Sequence, residues 1–440
     1  MITTHGVHEW QVIPGLPDTG GQNIFVNNFS EELAQQGFRI TVANRGGYPH
    51  PKTGQPRNGL HYKDENQRLF YVEDGLDRFV RKEDMAEQIP ELVRSLDAFI
   101  EEDGAAIDLI ISHYWDAAVV GERYRHRTDC QIPHIWVPHS LGAIKKRNVS
   151  PEQWEGLRID ERIASERDLV RELDGIAATS PIIRDSIVAD YAYSGLMLFL
   201  PPCVDPGRFH PREVAEDDDV WDFLSERAGI SSEEIRRSKI ITEISRTDWT
   251  KRKDVLIKAF ALVQQEIPDC LLCVSIDDSQ HEIASELNDL VDELGVRDRM
   301  AIVGSVWDIL PTLYAVSDVY CTPSVMEGFG MAVEEAAATR VPAVTSHLVP
   351  FATEYLLGET GEEFAPDGPG DCEVVGEGAI VVQADDVDGF AKALKILLKD
   401  QDMCLEMGER AYQITIPYFT WKSRTRAFLE EIEMASSGGE

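Results

Sequence analysis

The chain has 440 residues and a formal net charge of −36, with 78 acidic against 42 basic residues, of which only 13 are Lys. A surface of that sign repels phosphate backbones and anionic bilayers, so neither nucleic acid nor a membrane is an expected partner. A hydrophobic content of 43% over this length suits two domains with separate cores.

No apolar run reaches 18 residues, and the N-terminal stretch has no basic region followed by an apolar one, so a soluble, cytoplasmic protein is expected. Acidic, Lys-poor surfaces suit a salty cytoplasm, where screening relieves self-repulsion; a halophilic source is one reading and an ordinary acidic enzyme the other. The seven Cys are scattered and read as reduced thiols. Cys270 and Cys273 form the one C-x-x-C, inside an apolar run that reads as a strand. Alternation points their thiols to opposite faces, which argues against zinc. The sequence carries no sign of oligomeric state.

In chain order, 1–4 reads as a short strand, 15–22 (GLPDTGGQ) as a turn-rich loop, 23–36 as an amphipathic helix and 38–43 as a second strand. Strand, glycine loop, helix and strand open a doubly wound α/β sheet. The loop is neither a dinucleotide fingerprint nor a phosphate-binding P-loop; Gly20 and Gly21 fit either close approach of a ligand to the backbone or a plain turn. Further strands are expected at 69–72, 107–112, 132–137, 175–179 and 196–200, with helices at 85–102, after His113-Tyr114-Trp115-Asp116 through Arg123, at 152–172 and after Ser180-Pro181. Polar and aromatic residues gather where strands end, notably at His113-Tyr114-Trp115-Asp116 and Pro138-His139-Ser140. That carboxyl edge is where open α/β sheets bind ligands. The Pro-rich stretch 201–211 reads as an interdomain linker, giving domains at 1–200 and 201–416 and a closing segment at 417–440 expected to pack back on the first.

A second strand and helix series starts at 240, with strands at 271–276, 301–303, 319–322, 343–346 and 380–382. Residues 213–238 read as an acidic, helical insertion and 359–377 as an exposed, acid-rich one. The strand at 319–322 runs into Pro323-Ser324-Val325-Met326-Glu327-Gly328-Phe329-Gly330-Met331 and then a helix containing Glu335. Bare amides at a helix start attract anions. Carboxylates there are explained by a polyhydroxyl ligand beside a phosphate, or they are ordinary surface groups.

These pieces in this order resemble the retaining glycosyltransferases of family 4, which have the GT-B fold: two Rossmann-like doubly wound domains facing across a cleft. The most specific features are Glu327 and Glu335 as the E-x7-E pair, SRTDWTKRKDVLIKAF with Arg246 and Lys251 five apart, and the linker PPCVDPGRFHP. LPDTGGQ, SHYWDA, RFVRKED and PHSLGAIKK are similar to sucrose-phosphate synthase, sucrose synthase and mannosylfructose-phosphate synthase.

The resemblance implies a metal-independent hexosyltransferase without a resident cofactor, taking a hexose from UDP, ADP or GDP to a sugar phosphate in compatible-solute synthesis. Arg246 and Lys251 would stabilise the leaving diphosphate, Glu327 would hold the donor sugar and Glu335 its ribose. Gly328, Phe329, Gly330 and Met331 would offer amides, as would Gly20 and Gly21. His139 would sit by the C6 hydroxyl. On the acceptor side stand Gln22, Tyr114, Ser140 and Lys145, joined by Arg81, Lys82, Arg158 and Arg162, whose other reading is salt bridging to the abundant carboxylates. Rival readings are transfer to a free sugar, glycerate or glycerol phosphate, an inactive nucleotide-sugar-binding protein, and a phosphorylase, which lacks its pyridoxal site here. Departures from the pattern are residues 347–354 in place of a Gly-Gly-Pro loop, Arg340 where Gly is usual, and the insertion at 359–377.

Overall fold

The computed structural model describes residues 1–13, 16, 18–304, 306–358 and 373–437. Gly15 and Pro17 of the glycine loop and 359–372 of the acid-rich insertion lie outside the described residues. The chain forms two compact units, Met1–Pro202 with Trp421–Glu440, and Cys203–Thr420.

In the first unit the strands are β1 (Ile40–Arg45), β2 (Gly59–Tyr62), β3 (Gln67–Val72), β4 (Ile110–His113), β5 (His134–Val137), β6 (Gly175–Ala178) and β7 (Leu196–Phe199). They pair as β1-β3-β2 and β4-β5-β6-β7, parallel except at β2–β3. The strand expected at 1–4 shrinks to a bridge: Ile2 pairs in parallel with both Ala43 and Ser112 and so joins the two sets of strands. Its amide donates to Ile111 O at 2.8 Å while its carbonyl accepts from His113 N at 2.9 Å. The strand order therefore reverses about Ile2, and Thr4 and His5 follow at the carboxyl edge, the usual ligand position in such sheets.

Helix Gly21–Gln35 covers one face and buries Phe25, Val26 and Phe29. The final helix, Trp421–Ser437, lies against it: Phe428 is fully buried 5.5 Å from Phe29, and Trp421 stands edge-on to Phe25 at 4.8 Å.

The long helix expected at 152–172 is two, Pro151–Trp154 and Ile159–Leu169. Arg158 between them has φ 46, in the left-handed region, which interrupts the helical ladder. Charged residues on both sides of the break hide it in the sequence. Strand β2 was unexpected because three of its four residues are exposed, so no apolar alternation marks it.

In the second unit the strands are β8 (Lys239–Glu243), β9 (Cys270–Ser275), β10 (Met300–Val303), β11 (Val319–Thr322), β12 (Ala343–Ser346), β13 (Glu373–Val375) and β14 (Ala379–Val382). The order is β10-β9-β8-β11-β12-β14-β13, with only β13 antiparallel. The C-terminal end of the supposed exposed insertion is thus an edge strand. The order reverses between β8 and β11, so the loops leaving those two strands flank a switch point. Cys273 packs in the core on one side of this sheet and Cys270 in the core on the other, as strand alternation requires.

Phe428 tests the closing helix. Phe428→Ala is expected to lower the unfolding free energy by about 3–5 kcal/mol in urea titrations. A loss under about 1 kcal/mol would mean that the helix contributes little to this unit.

Candidate active site

Both loops at the second unit's switch point are built by local capping. After β8, Asp248 accepts from the Thr250 amide at 3.0 Å and starts a single 3-10 turn, Trp249–Lys251. After β11, the amide of Val325 donates to Thr250 O at 2.8 Å and the Ser324 hydroxyl to the same oxygen at 3.2 Å. The loops are thereby stitched together, and Lys251 Nζ reaches Glu327 Oε1 at 2.5 Å. Lys253, two residues on, turns inward to Glu243, Ser245 and Ser275. Arg246 stays largely exposed, 3.4 Å from Asp248.

Gly330 has φ 111, and a Cβ there would stand 2.7 Å from Val349 Cγ1, so only glycine fits. Gly328 has open space around it. Gly330 caps helix Met331–Ala338 without a side-chain acceptor, leaving an anion-seeking start beside Glu327. Phe329 is buried and its carbonyl accepts from Phe351 N at 2.7 Å. The unusual 347–354 segment therefore braces the glycine turn. Arg340, at φ 64, takes the left-handed position past the helix end and pairs with Glu409 at 2.7 Å.

Glu335 is half-buried and accepts from the Tyr314 hydroxyl at 3.4 Å. Burial pushes its carboxyl up to about 7, against the opposing pull of Arg208 and of the Tyr314 hydrogen bond. Glu334 beside it is fully buried, has no hydrogen-bond partner for either oxygen among the described residues, and is raised well above the ordinary range by burial and then by Glu335.

In the first unit, Gly20 is extended and its amide donates to Asn23 Oδ1 at 2.9 Å; Gly21 opens the following helix and Gln22 Nε2 donates to Thr3 Oγ1 at 3.1 Å. His139 has φ 54, and its Nε2 lies 3.0 Å from His113 Nδ1. Burial pushes His139 down to about 3 and His113 well below the ordinary range, so both imidazoles are neutral near pH 7.

Five of the eight acceptor candidates line one pocket: Lys82, Tyr114, Lys145, Arg158 and Arg162, with Glu83 and Glu161. Ser140 adjoins it, accepting from Arg162 Nη2 through its carbonyl at 2.6 Å and its hydroxyl at 3.0 Å. Gln22 and Arg81 are not among the lining residues, and Arg81 is an exposed partner of Asp84 at 3.1 Å. The pocket cations also have carboxylate partners: Lys82 with Asp18 at 2.5 Å, Lys145 with Glu83 at 3.7 Å, Arg158 with Glu161 at 3.8 Å and Arg162 with Glu166 at 2.7 Å. Burial lowers Lys145, and the Lys82 charge lowers it further.

Several partners were not singled out from the sequence. Buried Glu166 accepts from Arg162, Tyr191 and the Gly142 amide, the last at 2.9 Å. Buried Asp116 takes the Thr4 hydroxyl at 2.7 Å and His5 Nδ1 at 3.1 Å. The i, i+4 spacing of Arg162 and Glu166 was the one visible signal for the former.

Two family profiles match the chain: Glycosyltransferase Family 4 over residues 19–208 and Glycosyl transferases group 1 over 229–362. The chain belongs to the GT-B glycosyltransferases. It is similar to mannosylfructose-phosphate synthase of Agrobacterium fabrum, 29% identical over 360 residues, covering 79% of this chain and 75% of the relative. It is also similar to D-inositol 3-phosphate glycosyltransferase of Corynebacterium jeikeium, 27% identical over 440 residues, covering 97% and 95%. Sucrose-phosphate synthase of Thermosynechococcus elongatus superposes with a TM-score of 0.75 at 21% identity, covering 100% of this chain and 99% of the other.

The raised Glu335 carboxyl gives a pH signature. The unfolded chain releases this proton near the ordinary value of 4.5 and the folded one near 7, so its contribution to stability is full below 4.5 and is lost as pH rises to about 7. Compared with Glu335→Gln, the wild-type melting temperature is expected to fall across that window and level off above it. A constant difference between the two proteins would contradict the assignment.

Proposed function

We propose that this chain is a retaining, metal-independent hexosyltransferase that moves a hexose from a nucleoside-diphosphate sugar to a sugar phosphate. The observation that carries the acceptor half is the pocket in the first unit: Lys82, Lys145, Arg158 and Arg162 converge around Tyr114 in a chain of net charge −36. Guanidinium and ammonium groups gathered against the overall charge suit a phosphate dianion. The two similar curated proteins and the solved sucrose-phosphate synthase all carry a phosphorylated compound in their names, which supports the same reading.

On the donor side, Glu327 accepts from hexose hydroxyls and Glu335 from the ribose. Lys251 leaves its contact with Glu327 to face the diphosphate, and the exposed Arg246 joins it. Fixed positive charge offsets the negative charge that develops as the glycosidic C–O bond breaks. The acceptor hydroxyl attacks on the face the diphosphate leaves and passes its proton to a departing phosphate oxygen, so configuration is kept without a covalent glycosyl-enzyme. His139, neutral, hydrogen-bonds the hexose. The carboxylate partner beside every pocket cation favours a second reading, transfer to a free sugar, in which those ion pairs remain intact.

The test is a matrix of UDP-, ADP- and GDP-hexoses against free and phosphorylated sugars, with product anomers assigned by NMR. The account expects one donor, a strong preference for a phosphorylated acceptor, and the donor's anomeric configuration in the product. An inverted product, or equal turnover with the free sugar, would contradict it. Lys82→Ala should raise KM for the phosphorylated acceptor at least about tenfold while leaving the donor KM within about twofold.

A further inference from the structure

The turn Gly20–Gln22 is bracketed by the segment that precedes it in the chain. The Val7 amide donates to Thr19 Oγ1 at 2.9 Å, just ahead of the glycines, and His8 Nδ1 lies 3.3 Å from Asn23 Nδ2, just after them. His8 is fully buried and held at both of its backbone groups. Its amide donates to Asn44 Oδ1 at 3.3 Å, and its carbonyl accepts from the Tyr71 hydroxyl at 3.3 Å. Asn44 in turn donates to Thr3 O at 2.5 Å and accepts from Arg57. The buried Arg57 guanidinium lies 4.7 Å from the ring centroids of both Tyr48 and Tyr71. Burial pushes His8 down to about 3 and the Arg57 charge lowers it further, against the opposing pull of the Asn27 side chain. The imidazole is therefore neutral, and one tautomer fits. The Gly20 N–H can only donate, so the Asn23 atom 2.9 Å from it is the oxygen, and the Asn23 amide nitrogen faces His8. His8 Nδ1 accepts that N–H and carries its own proton on Nε2. A donor at Nδ1 would turn the Asn23 amide over and leave the Gly20 N–H facing another donor.

We propose that Asn23, oriented by His8, is the positioning residue of the glycine loop: it engages the Gly20 amide, and Gly21 and Gln22 present theirs to a phosphate oxygen of a bound substrate. This rests on the proposed function, in which both substrates carry phosphate. Helical hydrogen bonding begins at Asn23 and Ile24, whose amides donate to Gly20 O at 3.0 and 3.3 Å. The first two helical residues, Gly21 and Gln22, lie ahead of that ladder. Asn23 is the third, and it reaches back to the residue before the helix, the geometry that fixes a helix start. The expectation that Gly20 and Gly21 both offer amides to a ligand is thereby narrowed: Gly20 makes the turn, and its own N–H is spent on Asn23. His8 works at one remove. It touches no substrate in this account and acts by deciding which way the Asn23 amide points.

The experiment is steady-state kinetics of the full chain, Asn23→Ala, His8→Leu and His8→Asn on the nucleotide sugar and sugar phosphate that the wild type uses, with melting curves to identify the folded variants. An asparagine at position 8 can place its oxygen where the imidazole has Nδ1 and so keeps an acceptor for Asn23; a leucine cannot. Asn23→Ala and His8→Leu are each expected to raise KM for one of the two phosphorylated substrates about tenfold and to leave the other within about twofold, while His8→Asn stays within about threefold of wild type on both. The substrate whose KM rises is the one whose phosphate the loop meets. If Asn23→Ala does not fold, the two His8 variants carry the same comparison. Wild-type KM values in a folded Asn23→Ala, an equal rise for both substrates, or a His8→Asn no better than His8→Leu would overturn the positioning role and leave the glycosyltransferase reading in place. A wild-type chain that transfers no hexose would overturn both.

Discussion

The candidate site of the second unit depends on one ion pair, Lys251 with Glu327. The lysine side chain is 8% exposed and the glutamate 20%, so neither charge is well solvated and each needs the other. The pair is possible only because the loops after β8 and β11 leave the sheet side by side where the strand order reverses, and because Val325 and Ser324 of the second loop both donate to the Thr250 carbonyl of the first. Asp248 sets the turn on one side and Gly330 the turn on the other. Lysine and carboxylate satisfy one another. Under the proposed function a nucleotide sugar offers hydroxyls to the glutamate and phosphate to the lysine, so this is the contact that binding exchanges.

The first unit has an analogous organiser in Glu166. Its carboxylate receives Arg162, the Tyr191 hydroxyl and the Gly142 amide at the start of helix Gly142–Asn148. Arg162 in turn holds the Tyr114 hydroxyl at 2.5 Å and both oxygens of Ser140. One buried carboxylate therefore positions Tyr114, Ser140, Arg162 and the helix that carries Lys145. Arg162 is buried and bonded to Glu166, Tyr114 and Ser140, while Lys145 and Arg158 are partly exposed and reach their carboxylates only at 3.7 and 3.6–3.8 Å. Under the proposed function these loosely paired cations are the ones that turn to the acceptor phosphate.

Much of this was legible in the residues. Val319–Thr322, Met331–Ala338 and Ala343–Ser346 begin and end where apolar runs and turn residues place them. Glu327 and Lys251 were visible as chemistry through their motifs, but their contact was not, since 76 residues separate them and only the sheet order brings them together. Lys253 shows the limit: it is as basic as Lys251 and two residues away, yet it faces a buried Glu243. The strand at Ile2 was expected to be longer because a bridge between two sheets needs only one apolar residue. The double helix at 151–169 and the edge strand β2 were hidden by uniform charge and exposure.

The central claim is that Lys251 serves the breaking bond and not merely the loop. Steady-state kinetics of Lys251→Ala, on the donor and acceptor pair that the wild type uses, test it most directly. The account predicts a kcat about 10²–10³ lower with donor KM within about threefold. Near-normal turnover in a folded variant would contradict it.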